Sequence, residues 1–460
     1  MSGVIDDIAA WRSAQRARSG FACELRPLAR LDAWTVTPDA IRHASGGFFQ
    51  VVAARCHSNL PALHGIAQPF ILQAEMGILG FLATPGVRGP RLLVQAKTEP
   101  GNVGAVQLAP SFQCTPSNYT ARHGGTPAPF LALFAGSAAP PGGTRRSDVV
   151  HSEQGTHFLG KFNRNMMVEL PEASAPVPGE GAWRWLDAAD ILPLLRHDNL
   201  INTDARSVLV GTPWAWLCGG PPFARWHGGD CFGAALHAGH AAGEQGAEQP
   251  LAAVLAWLGA HRQAARVRHE RLGLNALDGW MLDADAWVPR ARVGLTAGGF
   301  AVRGFAVQAL DREVGHWHQP LVDSAGVGLI ALLCQRRRGV LHVLLHACAE
   351  AGLANIVEFS ASVQVAPDAV PDGAAATLAA LAAGGDAVIR MRCRQSEEGG
   401  RFHRDENDYV VAELAETTVI PPRPDHIWVG IAQLEALCNR PGLTTNEMRS
   451  VAALLLSLAI

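Results

Sequence analysis

The chain has 460 residues, enough for about three average domains. Its 38 Lys and Arg residues nearly balance 41 Asp and Glu residues, and this net charge of −3 argues against nucleic-acid binding, which usually needs a basic excess. Hydrophobic residues make up 48% of the chain, so it can bury a full core and disorder throughout is excluded. The longest apolar stretches, 251–258 and 451–460, are too short to cross a bilayer.

The cysteine pattern and the N-terminus predict a cytoplasmic protein. Nine cysteines follow no regular spacing and include no C-x-x-C pair, which favours reduced thiols over a disulfide framework or a zinc knuckle. Asp6 and Asp7 stand where a secretion signal would carry its cationic region and apolar core. We therefore expect a cytoplasmic location and no membrane segment.

The predicted elements follow a similar order in the two halves of the chain. The first half has an amphipathic helix at 4–18, strands at 47–53, 69–75, 91–97 and 165–170, and a closing helix at 186–196. The second half has a helix at 251–268, strands at 300–307, 340–347 and 409–414, and a closing helix at 431–439. Strands outnumber helices without a dominant strand–helix alternation, which predicts an α+β fold with mixed or antiparallel sheets.

An internal duplication explains this similarity. Trp34 recurs as Trp280, 246 residues later, and other matches keep their order with offsets between 243 and 251. Such a drift is what loop insertions and deletions produce, so we predict two homologous modules, 1–206 and 247–460, and a joining segment, 207–246. Other matching pairs are Glu99 with Glu350, Gln113 with Gln364, Phe158 with Phe402, and Asn163 with Asn407.

Two polar strings in the first module could carry chemistry. In the string 95–102, strand alternation places Gln95, Lys97 and Glu99 on one face, where they could bind a polar ligand or line a polar interface. The string 113–120 offers amides, hydroxyls and the phenol of Tyr119, which could hydrogen-bond a sugar or transfer a proton. A packed tyrosine with a satisfied hydroxyl is the simpler alternative.

Two further strings, one in each module, combine cations, amides and carboxylates in a turn that leads into a strand. This mixture suits a pyrophosphate and polyol ligand, although Ser and Glu before a glycine also serve as turn residues. Arg206 either binds phosphate or caps the preceding helix. The two strings are Ser152-Glu153-Gln154-Gly155 with Lys161-Phe162-Asn163-Arg164-Asn165, and Ser396-Glu397-Glu398-Gly399-Gly400-Arg401-Phe402 with Asn407-Asp408-Tyr409.

Metal and nucleotide motifs are weak or absent. His316-x-His318 and His342-x-x-x-His346 have spacings that metals tolerate, but no carboxylate completes a recognised motif, so we expect structural histidines and no metal site. The sequence has no Walker loop, no dinucleotide-binding glycine motif and no nucleophile elbow.

The ordered set of strings resembles the NDP-hexose 2,3-dehydratase family. The resemblance spans nearly the whole chain and includes the duplication. It is carried by 43–49, Gln68-Pro69, Gln73-Ala74-Glu75, 95–102, Ser117-Asn118-Tyr119-Thr120, 152–155, 163–165, Asn202-x-Asp204-x-Arg206, Arg312-Glu313-Val314, Gln319-Pro320-Leu321 and 395–402.

The resemblance implies two modules, each similar to the Nudix hydrolase fold, in a homodimer that acts on dTDP-4-keto-6-deoxyglucose in deoxysugar and antibiotic biosynthesis. The acidic Nudix box is missing from both halves, which disfavours metal-dependent pyrophosphate hydrolysis. In the implied reaction, the C4 ketone acidifies the C3 proton, and its removal expels the C2 hydroxyl. No redox cofactor and no obligatory metal are needed. An NADPH-dependent 3-ketoreductase is the implied functional partner, because it intercepts the unstable product.

Site residues follow from the resemblance and the chemistry. The C3 base is expected among Glu99, Glu153 and Tyr119, with Lys97 as a further catalytic group that donates to the enolate or the pyrophosphate. Trp34, with Phe48, could stack on thymine. The other expected substrate-binding residues are His43, Gln95, Asn102, Gln113, Ser117, Asn118, Gln154, Lys161, Asn163, Arg164, Asn165, Arg206 and Trp317 and, at related or neighbouring positions of the second module, Glu350, Ser396, Glu397, Glu398, Arg401 and Tyr409.

Two other functions compete with the dehydratase. A sugar-nucleotide binding scaffold would need a pocket, but no acid and base with perturbed pKa values in it. A nucleoside diphosphate hydrolase would need magnesium and the missing acidic box. For the dehydratase, we expect Lys97→Ala and Glu153→Gln each to lower turnover with the fold intact.

Overall fold

The computed structural model describes residues 2–120, 128–136, 138–178, 181–226, 231–283, 286–289, 299–367, 369–371, 373–384 and 386–460. Within these ranges the chain has an α+β fold whose strands form two sheets of five strands and two of seven. None of the helices in the described ranges is long and apolar enough to span a membrane.

The first half of the chain begins with a helix, continues through a small and a large sheet, and ends in a buried helix. Its elements are α1 Ser2–Ser19, β1 Ala22–Arg26, β2 Trp34–Val36, β3 Ala40–His43, β4 Gln50–Ser58, β5 Ala67–Leu72, β6 Gly77–Thr84, β7 Arg91–Thr98, β8 Val106–Ala109, β9 Phe112–Cys114, α2 Pro116–Tyr119, α3 Leu131–Phe134, β10 Thr144–Ser152, β11 Phe162–Glu169, β12 Trp183–Asp187, α4 Ala188–Ile191 and α5 Thr203–Val210.

The second half repeats this order after two joining helices. Its elements are α6 Trp214–Leu217, α7 Cys231–Ala241, α8 Leu251–Ala264, β13 Val267–Leu272, β14 Trp280–Asp283, β15 Ala286–Pro289, β16 Phe300–Gln308, β17 His316–Ser324, β18 Val327–Arg337, β19 Val340–Ala349, β20 Val357–Ser360, β21 Val363–Val365, α9 Gly373–Ala382, β22 Ala387–Ser396, β23 Glu406–Leu414, β24 His426–Gly430, α10 Ile431–Cys438 and α11 Asn446–Leu456. Short 3-10 helices at 28–30, 172–174, 192–196, 224–226, 243–246 and 274–276 complete the described elements.

The two large sheets have the same topology, which supports the duplication. One runs β10-β11-β6-β7-β12, with β8 beside β7 and β9 beside β6. The other runs β22-β23-β18-β19-β24, with β20 beside β19 and β21 beside β18. In each, the central pair is parallel, β11 with β6 and β23 with β18, whereas the other pairs are antiparallel.

The two small sheets exchange one strand between the halves of the chain. β1, from the first half, pairs antiparallel with β16 of the second. β13, from the second half, pairs antiparallel with β4 of the first. Each small sheet is therefore completed by the other half, and the two modules interlock although they are consecutive in sequence.

An extensive hydrophobic core cluster contains buried residues of both modules. Within it, α5 and α11 pack against each other between the large sheets. Every residue of both helices is buried. Asn202 Oδ1 accepts from the Ala205 N–H at 2.9 Å and Thr445 Oγ1 accepts from the Met448 N–H at 3.2 Å, so each helix starts with a side-chain cap.

Several predicted boundaries differ from the structure. The helix predicted at 251–268 ends at Ala264, because residues from Val267 onward pair with β4 instead. The helices that close the modules are α5 and α11, not those at 186–196 and 431–439. α5 and α11 are both apolar helices with polar residues in their first turn. The predicted end of the first module, residue 206, lies inside α5.

Candidate active site

The first module contains a cavity of about 580 Å³, within the size range of small-ligand sites. Both modules contribute to its wall. The lining residues are Asp32, Ala33, His43, Ser45, Phe48, Gln73, Gly77, Leu79, Lys97, Glu99, Pro100, Gln113, Cys114, Thr115, Asn118, Lys161, Asn163 and Asp204 from the first half, and Arg312, Glu313, Val314, His316, Trp317, His318, Gln319, Glu398, Gly400 and Arg401 from the second.

Strand ends and turns position these side chains. Lys97 is on β7 and Glu99 is the first residue after that strand, while Asp204 lies in the first turn of α5. From the second module, β17 and the residues before it supply 312–319, and the turn between β22 and β23 supplies Glu398 and Arg401. The Gly101 N–H donates to the Gly399 carbonyl at 2.8 Å, which holds this turn against the end of β7.

The first carboxylate of the cavity, Glu99, is surrounded by cations and an amide. Lys97 Nζ lies 3.4 Å and Arg312 Nη1 3.9 Å from Glu99 Oε1. Gln113 Nε2 donates to the same oxygen at 3.1 Å, and Asn202 Nδ2 in turn donates to Gln113 Oε1 at 3.1 Å. Glu99 is thus an oriented, almost completely buried carboxylate next to an ammonium group.

A second carboxylate, Glu398, lies in a different environment. Burial raises the pKa of Glu398 to about 7, with Arg401 opposing the shift and Glu153 and Glu99 adding to it. Its Oε2 has no hydrogen-bond partner among the described residues. Burial also raises the pKa of Asp204 well above its ordinary value, and the charges of Glu398, Glu153 and Glu99 act in the same direction. The cavity therefore holds two carboxyl groups whose pKa is raised by burial, and Glu398 can carry a proton near neutral pH.

Cations and amides occupy the rest of the polar wall. Arg401 donates from Nε and Nη2 to Gln73 Oε1 at 3.3 and 3.1 Å, and its guanidinium lies 4.3 Å from the centre of the Phe49 ring. Burial lowers the pKa of Lys161 to about 8, and this ammonium donates to the Glu75 carbonyl. Arg401 and Lys161 are therefore cationic groups in the wall that could bind an anionic part of a ligand.

The structure brings together part of the predicted site. The predicted residues that line the cavity are His43, Lys97, Glu99, Gln113, Asn118, Lys161, Asn163, Trp317, Glu398 and Arg401. Three others contact this wall from behind. Trp34 Nε1 donates to the His318 carbonyl at 2.6 Å, Glu153 accepts from Asn163 Nδ2 at 2.7 Å, and Ser117 Oγ lies 3.3 Å from Thr115 Oγ1.

Another group of predicted residues is buried between the modules. Glu397 accepts from Gln154, Asn407 and Tyr409 at 2.6 to 2.8 Å, so the Tyr409 hydroxyl is satisfied inside the protein. Arg206, for which a phosphate contact or a helix cap was expected, is 1% exposed, lies outside the cavity wall and donates to Ser450, Gln395 and Ser396 of the second module.

The remaining predicted residues also lie outside the cavity wall. Glu350 accepts from Gln364 Nε2 at 3.0 Å, and Ser396 accepts from Gln107 Nε2 at 2.7 Å. Asn102 packs so closely against Gly399 that a Cβ there would lie 2.0 Å from its Oδ1. Gln95 pairs with Trp183 and Ala109 across neighbouring strands, Asn165 donates to the Asn163 carbonyl, Tyr119 packs against an apolar cluster, and Arg164 forms two hydrogen bonds with Asp148.

Several cavity residues were missed as site residues. Gln73, Asp204, Arg312, Glu313 and Gln319 all line the cavity. Each lies within a string that carries the family resemblance, and that resemblance was the signal that could have identified them. Their large sequence separation from residues 95–102 gives no indication that they lie near those residues in the fold. Sequence spacing alone does not show that residues 312–319 close over the end of β7.

Three of the cavity's cations have no cation at the duplicated position in the other module. Cys348 corresponds to Lys97, Asp405 to Lys161 and His157 to Arg401, at the offsets of 251 and 244 that relate the copies. The carboxylate of Glu350 remains, with a pKa raised to about 7 by burial above all. The two copies therefore keep the same framework but differ in charge.

Comparisons of the chain with a family model and with curated proteins point to the same family. The model of the family described as NDP-hexose 2,3-dehydratase matches residues 5–211 and again residues 251–455. A crystal structure of an ADP compounds hydrolase aligns with 36% of this chain and 86% of its own, at 18% identity and a TM-score of 0.23, which is too low to assign a fold.

Three curated relatives match over most of their length, and each is named dTDP-4-dehydro-6-deoxy-alpha-D-glucopyranose 2,3-dehydratase. The protein of Streptomyces violaceoruber is 33% identical, with 96% of this chain and 95% of the relative covered. That of Saccharopolyspora spinosa is 32% identical, covering 97% and 90%, and that of Amycolatopsis orientalis is 33% identical, covering 97% and 89%. The chain therefore belongs to the NDP-hexose 2,3-dehydratase family.

Proposed function

We propose that this protein is a hydro-lyase that removes water across C2 and C3 of dTDP-4-keto-6-deoxyglucose, and that the cavity of the first module is its active site. The observation that carries the assignment of the site is the pair of carboxyl groups in unlike environments. Glu99 lies beside the Lys97 ammonium, and Glu398 has a pKa raised to about 7. Such a pair can supply a base and an acid at the same pH.

In the proposed mechanism, the C4 ketone acidifies the proton on C3, and Glu99 accepts that proton. Lys97 donates to the oxygen on C4, where the enolate charge develops. The electron pair forms the C2–C3 double bond and the C2–O bond breaks, while Glu398 protonates the departing hydroxyl, so that water leaves. The resulting enol tautomerises to the 3,4-diketo-2,6-dideoxy sugar nucleotide.

The rest of the wall would bind the nucleotide. Arg401, Lys161 and Arg312 supply cations for the pyrophosphate. His43, Phe48 and Trp317 supply ring faces for the base, and Trp34 supports His43 with its ring centre 5.3 Å away. We assign turnover to this cavity alone, because the positions that duplicate Lys97, Lys161 and Arg401 hold Cys348, Asp405 and His157.

Lys97→Ala is expected to lower kcat about 100-fold, because loss of one donor to a developing oxyanion costs about that much. Glu153→Gln should also lower turnover, through Asn163, since Glu153 contacts that lining residue and does not reach the cavity wall itself. Steady-state rates with the coupled reductase measure both effects, and circular dichroism checks the fold. Unchanged turnover in both variants would remove this half of the cavity from the mechanism.

The decisive experiment is incubation of the purified protein with dTDP-4-keto-6-deoxyglucose in deuterated water, with a 3-ketoreductase and NADPH as the trap. The dehydratase predicts a 4-keto-2,6-dideoxy product that carries deuterium at C2. Intact sugar together with tight binding in calorimetry would favour the scaffold, and release of dTMP would favour a nucleoside diphosphate hydrolase.

Further features of this function are proposed from the family resemblance. They are a Nudix-like fold for each module, a homodimer, coupling to an NADPH-dependent 3-ketoreductase, a cytoplasmic location, and a place in deoxysugar biosynthesis for antibiotics. The described cysteines are free, which agrees with a reducing compartment. Light scattering of the purified protein tests the dimer directly.

A further inference from the structure

A cluster of two histidines and one aspartate lies on the large sheet of the second module. His346 on β19 pairs directly with His426 on β24, and their rings stack with centres 4.6 Å apart. Asp425 precedes β24, and its backbone carbonyl accepts from the Ala347 N–H at 2.8 Å. Among the described residues this is the group whose nitrogen and carboxylate ligand atoms all lie within 4.8 Å of one another.

The hydrogen bonds of His426 make its Nδ1 an acceptor beside the carboxylate, with Arg423 Nε as the donor to it. Its Nε2 lies 3.1 Å from the Ser362 carbonyl, which can only accept, so Nε2 carries the proton. In the neutral ring, Nδ1 is then an acceptor, yet it lies 2.9 Å from Asp425 Oδ1, another acceptor. An imidazole that donates one N–H to a backbone carbonyl and directs its other nitrogen at a site is the arrangement of metal-bound histidines.

The distances also fit one small cation. Asp425 Oδ2 lies 3.6 Å from His346 Nε2, and Oδ1 lies 2.9 Å from His426 Nδ1. Ligands about 2.0–2.1 Å from a tetrahedral zinc ion are about 3.3 Å apart, which lies between these two values. Two imidazoles and a carboxylate leave a fourth position for water.

The three residues of this cluster differ from the residues at the duplicated positions of the first module. In the first module the paired positions of β7 and β12 hold Gln95 and Trp183. Ala182, whose carbonyl accepts from the Ala96 N–H at 2.7 Å, stands at the position of Asp425. All three candidate ligands are therefore specific to the second copy, and none is needed to build the sheet.

A neighbouring arginine contacts the same acceptors. Arg423 Nη2 lies 3.0 Å from Asp425 Oδ2, and its Nε lies 3.1 Å from both Asp425 Oδ1 and His426 Nδ1. Its side chain is 24% exposed, so water can solvate it if it is displaced. The guanidinium thus supplies the positive charge that this acceptor cluster requires.

We propose that His346, Asp425 and His426 form a three-ligand site for a borderline divalent cation such as Zn²⁺, with Arg423 as an intramolecular competitor for the same acceptors. The bound ion would tie β24 to β19. This site is independent of the proposed function, because none of its residues lines the catalytic cavity.

The test is calorimetric titration of the chelator-treated, full-length protein with Zn²⁺ alone, supported by the visible absorption of Co²⁺. We expect one site whose affinity falls at least about tenfold in His346→Gln, which installs the residue of the first module, and in Asp425→Asn. His57→Gln is the matched control, since His57 contacts Glu270 at 2.8 Å in a pair without a second histidine, and should bind as the parent does.

Arg423→Gln should bind Zn²⁺ more tightly than the parent, because it removes the competitor. Zn²⁺ should also raise the melting temperature of the parent but not of His346→Gln. Absence of saturable binding, or equal affinity in the parent and His346→Gln, would overturn the site. Equal or weaker affinity in Arg423→Gln would overturn the competition.

Discussion

Replacing Glu398 by glutamine is expected to lower kcat about 1,000-fold, within the usual range for loss of a general acid, with little change in substrate binding or fold. Glutamine keeps the shape and the hydrogen-bonding capacity of the side chain but cannot transfer a proton to the departing hydroxyl. The duplicated turn of the first module already holds Gln154 at this position, buried to 3% exposure, so an amide is compatible with the turn.

The same carboxyl group predicts the pH dependence. Burial raises the pKa of Glu398 to about 7, so the acid form that the mechanism requires prevails below that pH and is lost above it. We expect kcat/KM to fall as pH rises through about 7, and the residual rate of Glu398→Gln to lack this limb. Coupled assays of NADPH oxidation from pH 5.5 to 9 (about one point per half unit) measure both profiles.

A surface carboxylate provides the matched control. Glu270→Gln alters a side chain that contacts His57 away from the cavity, and it should keep the parental rate and profile. If Glu398→Gln keeps the limb, the limb belongs to another group of the wall. Lys161, whose pKa burial lowers to about 8, is then the first candidate.

The duplication and the α+β class could be predicted because both depend on patterns that can be recognised along the sequence. Repeated tryptophans and glutamates keep their order, and alternating residues predict strands such as β7. The exchange of β1 and β13 could not be predicted, since a strand pattern indicates an exposed and a buried face but not the partner strand. The pairing of β1 with β16 depends on the packing of the complete chain.

The residues that line the cavity could be predicted only in part, for a related reason. Lys97 and Glu99 are two residues apart on one strand, so their shared face follows from the sequence, and both line the cavity. Tyr409 and Glu397 look equally functional as residue types, but they satisfy each other between the modules at 2.7 Å. Buried polar residues at an internal interface and at an active site have the same composition, and only the tertiary structure separates them.

Arg206 and Arg449 illustrate this kind of polar interface. Arg206 Nε donates to Ser450 Oγ at 3.1 Å, and Arg449 Nε donates to Ser207 Oγ at 3.0 Å, in a reciprocal arrangement across the duplication. Arg206 Nη2 also donates to the Ser396 carbonyl at 2.8 Å. Both side chains are almost completely buried. Their N–H groups therefore form hydrogen bonds with protein acceptors instead of with water.

Arg206→Ala is therefore expected to lower the free energy of unfolding by about 3–5 kcal/mol, because each buried acceptor that loses its donor costs about 1–3 kcal/mol. The substitution leaves the Ile201 and Ser396 carbonyls and Gln395 Oε1 without their donor, in addition to a cavity between α5 and α11. Urea unfolding followed by tryptophan fluorescence measures the change against the parent.

Arg88→Ala is the matched control for that measurement. Arg88 also contacts two carboxylates, Asp187 at 2.8 Å and Asp190 at 2.9 Å, but its side chain is 56% exposed, so its loss should cost less than about 1 kcal/mol. A loss in Arg206→Ala as small as that in Arg88→Ala would mean that the buried guanidinium does not hold the modules together. The shared apolar core and the exchanged strands β1 and β13 would then suffice for their association.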